Sequence, residues 1–162
     1  MQDRFFWCFP IEMGLKIYAA MHWMGSIFLT LLSIYILAIY SDYGAAGILY
    51  APHVCNLLAA PFFAAAGYYW CKGTNMLDMK DSATKIRMGA IVAAIGYFLV
   101  LLGEWILLGA SYNVPGYLIA LNIFAVFWYI GLTYYIWNVA LRYQGYRVAV
   151  SRLLPSTTGQ QY

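Results

Sequence analysis

Glu104, His53 and His22 are the side chains whose chemistry stands out, because each interrupts or sits within a long stretch without Asp, Glu, Lys or Arg. An ionisable group inside a membrane span is costly and is a functional hypothesis by default. Histidine titrates near neutrality and a carboxyl can take up or release a proton, so His53 with Glu104 could carry protons or hold an ion. The competing expectation is a buried polar clamp that fixes helix register. A relay needs several groups spaced across the membrane, and on the Glu104 face the inner half of that helix offers only Tyr97. One haem between His22 and His53 would need both at one depth, whereas they are expected roughly 15 to 20 Å apart along the membrane normal.

Other chemistry has little to work with. The sequence contains no G-x-S-x-G, H-E-x-x-H, Walker or G-x-G-x-x-G motif, and Cys8, Cys55 and Cys71 form no C-x-x-C pair. The expectation is a protein that is not an enzyme and has no cofactor and no metal.

The elements that must position these residues follow from composition. Of 162 residues 64% are hydrophobic and only 9% charged, against roughly 25% charged in soluble domains. Fifteen charged side chains cannot cover a water-facing globule of this size, which disfavours disorder, nucleic-acid binding and an ordinary cytosolic enzyme. Residues 17–41, 43–71, 88–103 and 105–141 carry no formal charge. Because about 20 apolar residues cross the hydrocarbon core, four spans are expected at about 17–40, 46–70, 88–110 and 117–141. The fold class is all-α, a single four-helix transmembrane bundle over 1–162 with a short basic tail at 142–162. Turn residues at Ser41 to Gly44 and Ser111 to Gly116 separate the members of each outer pair.

An even number of spans puts both termini on one side, and all nine Lys and Arg residues fall there. The opposite loops carry only Asp42. Cation bias in short loops sets orientation, so that side is expected to be the cytoplasm or the mitochondrial matrix. Lys85, Arg87, Arg142, Arg147 and Arg152 are then candidate contacts for anionic phospholipid, cardiolipin included. The first 16 residues hold two acids and no long apolar run, so targeting is expected to be internal to the spans. The polar tail from Pro155 to Tyr162 is expected to need a partner to hold it.

Spans two and three run antiparallel, so residues at equal depth have numbers with a constant sum. His53 with Glu104, Ala60 with Tyr97 and Ala64 with Ala93 share one sum. Small residues let helix backbones approach. The two spans are therefore expected to pack through Ala60, Ala64, Gly67, Gly89, Ala93 and Tyr97, with His53 and Glu104 side by side. Kinks are expected in span two at Pro52 and Pro61.

The segment Trp7-Cys8-Phe9-Pro10-Ile11 with Gly14 and Lys16 resembles the entry to span one in small four-span proteins of the LAPTM and MARVEL-like type. That resemblance implies a free-standing trafficking or scaffold protein of endomembranes. In span count, short loops and aromatic content the chain is similar to the small supernumerary subunits of mitochondrial respiratory complexes and ATP synthase. This second resemblance implies a non-catalytic accessory subunit of the mitochondrial inner membrane, with other membrane subunits and phospholipids as partners and no nucleic acid. A small transporter or proton-conducting protein using Glu104 and His53 is the remaining reading.

Overall fold

A computed structural model describes residues 4–5, 9–43, 47–75, 79–110 and 114–153. A two-residue antiparallel pair, β1 (Arg4–Phe5) with β2 (Phe9–Pro10), leads into four helices: α1 (Ile11–Tyr43), α2 (Ala51–Asn75), α3 (Met79–Ala110) and α4 (Gly116–Leu153). A single 3-10 turn, Gly47–Tyr50, precedes α2. All four helices are long and apolar enough to cross a membrane.

At one end of the bundle the helices outrun the expected spans. α1 begins at Ile11 rather than near 17, α3 at Met79 rather than near 88, and α4 continues to Leu153. Of the stretch 71–87 expected between spans two and three, residues 71–75 and 79–87 are helical; residues 76–78 and the tail 154–162 lie outside the described residues. The reason is physical: loss of hydropathy marks where hydrocarbon ends, while a helix ends where its backbone bonding is broken. Lys85 and Arg87 satisfy the first condition without disturbing the second. Pro52 lies in the first turn of α2, where its missing donor has no intrahelical acceptor to serve, so it begins the helix. Pro61 sits inside α2, which is helical on both sides of it.

α2 and α3 pack most extensively, then α1 with α2, then α3 with α4, so the helices follow chain order. The α2/α3 seam sets bulky groups into glycine notches. A Cβ at Gly89 would come within 2.5 Å of the Trp70 indole nitrogen, one at Gly96 within 2.8 Å of the Phe63 ring, and one at Gly103 within 2.8 Å of Cys55 and Pro52. Trp70 and Phe63 are seven residues apart, as are Gly89, Gly96 and Gly103, so knobs and notches keep step for two turns at each interval. Trp70 Nε1 also donates to the Ile86 carbonyl at 3.1 Å.

The α1/α2 seam uses hydrogen bonds. Ser26 Oγ donates to the Ala60 carbonyl at 2.8 Å and Trp23 Nε1 to that of Ala64 at 2.9 Å. Gly67 lies beneath the Trp23 indole and the Ala19 carbonyl. Ala60, Ala64 and Gly67 thus face α1, not α3. Their expected partners Gly89 and Ala93 are buried on α3, and the α2 residues set against its glycines are Trp70, Phe63, Cys55 and Pro52. The correction arises because α2 has a neighbour on each side and needs two packing stripes; the small residues form one and the aromatic knobs the other.

Among the described residues, α4 buries side chains against the others only toward the charged end. Ile136, Val139, Ala140 and Tyr143 enter a buried cluster with Leu15, Trp70 and Ile86. From Gly116 to Tyr135 no α4 side chain is buried. The bundle closes at one end and splays at the other.

Candidate functional site

At the root of the splay a cleft of about 600 Å³ opens between α1 and α4. Gly25 and Met21 line it from α1 and Trp128 from α4, while Phe63 and Tyr97 reach it from the helices behind. Three of its polar side chains form a hydrogen-bonded chain, and Trp128 and Tyr129, which also carry polar groups, line it as well. His22 Nδ1 lies 3.0 Å from the Tyr18 carbonyl, His22 Nε2 lies 2.7 Å from the Tyr97 hydroxyl, and that hydroxyl lies 3.2 Å from the Tyr18 hydroxyl.

Helical spacing explains the grouping. Tyr18 and His22 are one turn apart on α1, so both look the same way, and the close α1/α2 and α2/α3 seams bring Tyr97 of α3 behind them. The imidazole is enclosed by rings, with centroids 4.5 Å away for Tyr18, 4.7 Å for Trp70 and 5.7 Å for Phe63. Tyr129 of α4 stacks on Tyr97 at 4.3 Å with the planes 6° apart. His22 lies six residues beyond Lys16, roughly 9 Å deeper along the helix.

The direction of each hydrogen bond follows from one fixed acceptor. A main-chain carbonyl only accepts, so His22 Nδ1 carries the proton facing Tyr18 O. With the ring neutral, Nε2 accepts from the Tyr97 hydroxyl, and Tyr97 Oη in turn accepts from the Tyr18 hydroxyl. All three polar side chains are thereby satisfied within the bundle, as buried polar groups require.

The pair expected of His53 and Glu104 has no bonded contact to carry it. Among the described residues no hydrogen bond or ion pair joins them. The His53 ring lies edge-on to Tyr40 of α1 at 5.7 Å, whereas Glu104 is within electrostatic reach of Tyr129 on α4. The contact of Gly103 with Pro52 puts the two at similar heights along the α2/α3 seam. The register reading placed their heights, but Gly103 and Pro52, their chain neighbours, take the contact between the helices. Tyr97, expected on the helix-packing stripe, is instead the centre of the polar chain. His53 Nδ1, Asn56 Oδ1 and Ser33 Oγ are buried without a hydrogen-bond partner among the described residues.

The basic residues are dispersed. Lys85 lies 5.8 Å over the Tyr69 ring and Arg87 lies 5.4 Å over Trp137, its Nε buried without a partner among the described residues. Arg142 is exposed, and the side chains of Arg147 and Arg152 lie outside the described residues. Among the described residues no group of three His, Cys, Asp or Glu side chains is placed to hold a metal ion.

The sequence reading set aside a shared haem for His22 and named no partner for it. The signal for its real neighbour was present: applying the constant-sum rule to the first turn as well as the second carries His22 across α2 to the level of Ala93 and Tyr97. Comparison of the chain with protein-family models, curated proteins and solved structures finds no match.

Proposed function

We propose that this chain is a non-catalytic packing subunit of a larger membrane assembly, seated in the mitochondrial inner membrane among respiratory-chain or ATP-synthase components. One observation carries the reading: α4 is a 38-residue helix whose first half buries no side chain. At 1.5 Å per residue it is about 57 Å long, well beyond the roughly 30 Å of hydrocarbon it has to cross. It therefore offers a partner two surfaces, an aromatic flank within the membrane and a helical extension beyond it. Phe124, Phe127, Trp128 and Tyr134 crowd the flank, all more than half exposed. Rings of this kind anchor interfaces between proteins.

Phospholipid is the second partner in this reading. Arg142 and Lys85 border the charged end, and a cation at an anionic membrane surface contributes about 1 kcal/mol. Cardiolipin is the anionic phospholipid this reading names first.

Gentle solubilisation of mitochondria followed by native-mass separation tests the proposal. The chain is expected to migrate in an assembly many times its own 18.3 kDa. Migration as a small free species, or absence from the organelle, would overturn it.

A further inference from the structure

We infer that the groove between α3 and α4 holds an acyl chain of an anionic phospholipid whose phosphate sits on Arg87. The inference deepens the phospholipid part of the proposed function and rests on it. The groove has a volume of about 600 Å³, within the range of small-molecule sites, about 300 to 1,000 Å³. Ala94, Phe98 and Leu101 of α3 and Val126 and Ile130 of α4 line it, a surface suited to hydrocarbon. Phe98 and Ile130 are more than half exposed, so the groove opens toward the bilayer.

Charge names the occupant. Trp137 is the last residue of α4 to line the groove, and the Arg87 guanidinium lies 5.4 Å over its ring, so the cation stands where the groove meets the charged end. A guanidinium stays protonated at any ordinary pH. Among the described residues no acid is bonded to Arg87, and its Nε is buried without a partner. α4 contains no Asp or Glu; on α3, Asp81 projects from another face, and Glu104 lies seventeen residues away toward the opposite end. A cation that the chain does not neutralise, fixed on a ring at the end of an apolar groove, calls for an anion attached to hydrocarbon. Thr133 and Trp137, on the α4 side of the same end, carry donors that phosphate and ester oxygens can accept.

Two other residues separate this site from diffuse attraction of anionic lipid to a basic surface. Lys85 is only two residues from Arg87, yet it lies over Tyr69 of α2 and does not line the groove. Removing its charge changes the net charge as much as removing that of Arg87, which makes it the control. Ala94 is half-buried in the groove lining, where a phenyl ring would take the space of the acyl chain and leave both cations in place.

The test uses the full chain in detergent and counts bound lipid by native mass spectrometry. Dioleoyl phosphatidylglycerol is the anionic probe, phosphatidylcholine with the same chains the zwitterionic one, and glycerol phosphate the head group without chains. Phosphatidylglycerol is expected to bind about tenfold more tightly than phosphatidylcholine, the worth of one charge-assisted hydrogen bond, and glycerol phosphate is not expected to be retained. Arg87→Gln should bring the two lipids to similar affinity, Ala94→Phe should weaken both, and Lys85→Gln should leave the preference unchanged. A preference that survives Arg87→Gln, or that Lys85→Gln lowers equally, overturns this site and leaves phospholipid as a partner. Retention of glycerol phosphate, or lipid binding unchanged by Ala94→Phe, overturns the groove. Equal binding of the two lipids by the unsubstituted chain overturns both this site and the phospholipid part of the proposed function. If Ala94→Phe does not fold, the Arg87 and Lys85 variants decide the matter.

Discussion

Gly89 and Gly25 are both helical glycines, yet their neighbours give them opposite sensitivities. At Gly89 a methyl group would collide with the Trp70 indole, which is pinned by its bond to Ile86 and cannot swing aside. Gly89→Ala is therefore expected to destabilise by about 1 to 3 kcal/mol, the usual cost of overpacking, read as a lower melting temperature in detergent. Gly25→Ala should stay within about 0.5 kcal/mol of the parent, as at unobstructed surface sites. Tyr97→Phe removes the donor to His22 Nε2 and leaves a buried acceptor unpaired, which costs about 1 to 3 kcal/mol. Ser33 is the reverse case. Its hydroxyl is buried with no partner among the described residues, so Ser33→Ala should hold or raise stability by up to about 1 kcal/mol. Glu104→Gln with His53→Phe should be additive within about 0.5 kcal/mol, because the two groups make no shared contact. A coupling well above that in a double-mutant cycle would restore them as a pair.

At the scale of elements, the spans and the antiparallel register were legible in the amino-acid order, and the helix faces were not. Charge is scarce enough that Lys16, Lys72, Arg87 and Arg142 mark hydrocarbon boundaries, and the two short outer turns force neighbours to run antiparallel. Rotation about the helix axis is a different quantity. In a soluble helix an apolar stripe reveals it, but α3 and α4 are hydrophobic all round because lipid and bundle make similar demands. Small residues then served as the marker of a packing face, and on α2 they marked the face toward α1. On α3, Gly89 does face α2, yet it receives Trp70 rather than another small residue. The α1/α2 seam can be weighed directly. Ser26→Ala deletes a single interhelical hydrogen bond to Ala60, and bonds of this kind within a membrane average about 0.6 kcal/mol. A change of that size in unfolding is expected; a loss of several kcal/mol would mean that Ser26 organises more than this one contact.

For the molecule as a whole, the decisive feature is the contrast between a closed, charged end and a splayed, aromatic end. The closed end accounts for folding: Leu15, Trp70, Ile86 and Ile136 bury one another there, and each is at most 1% exposed. The splayed end accounts for the proposed interaction of a protein along α4, and Phe127, 70% exposed in the first half of that helix, is the place to ask what covers it. A photo-crosslinking amino acid installed at Phe127 and activated in native membranes is expected to yield a discrete higher-mass protein adduct, absent when the same probe replaces buried Ala93. Labelling of lipid alone at position 127, with no protein adduct, would contradict the account.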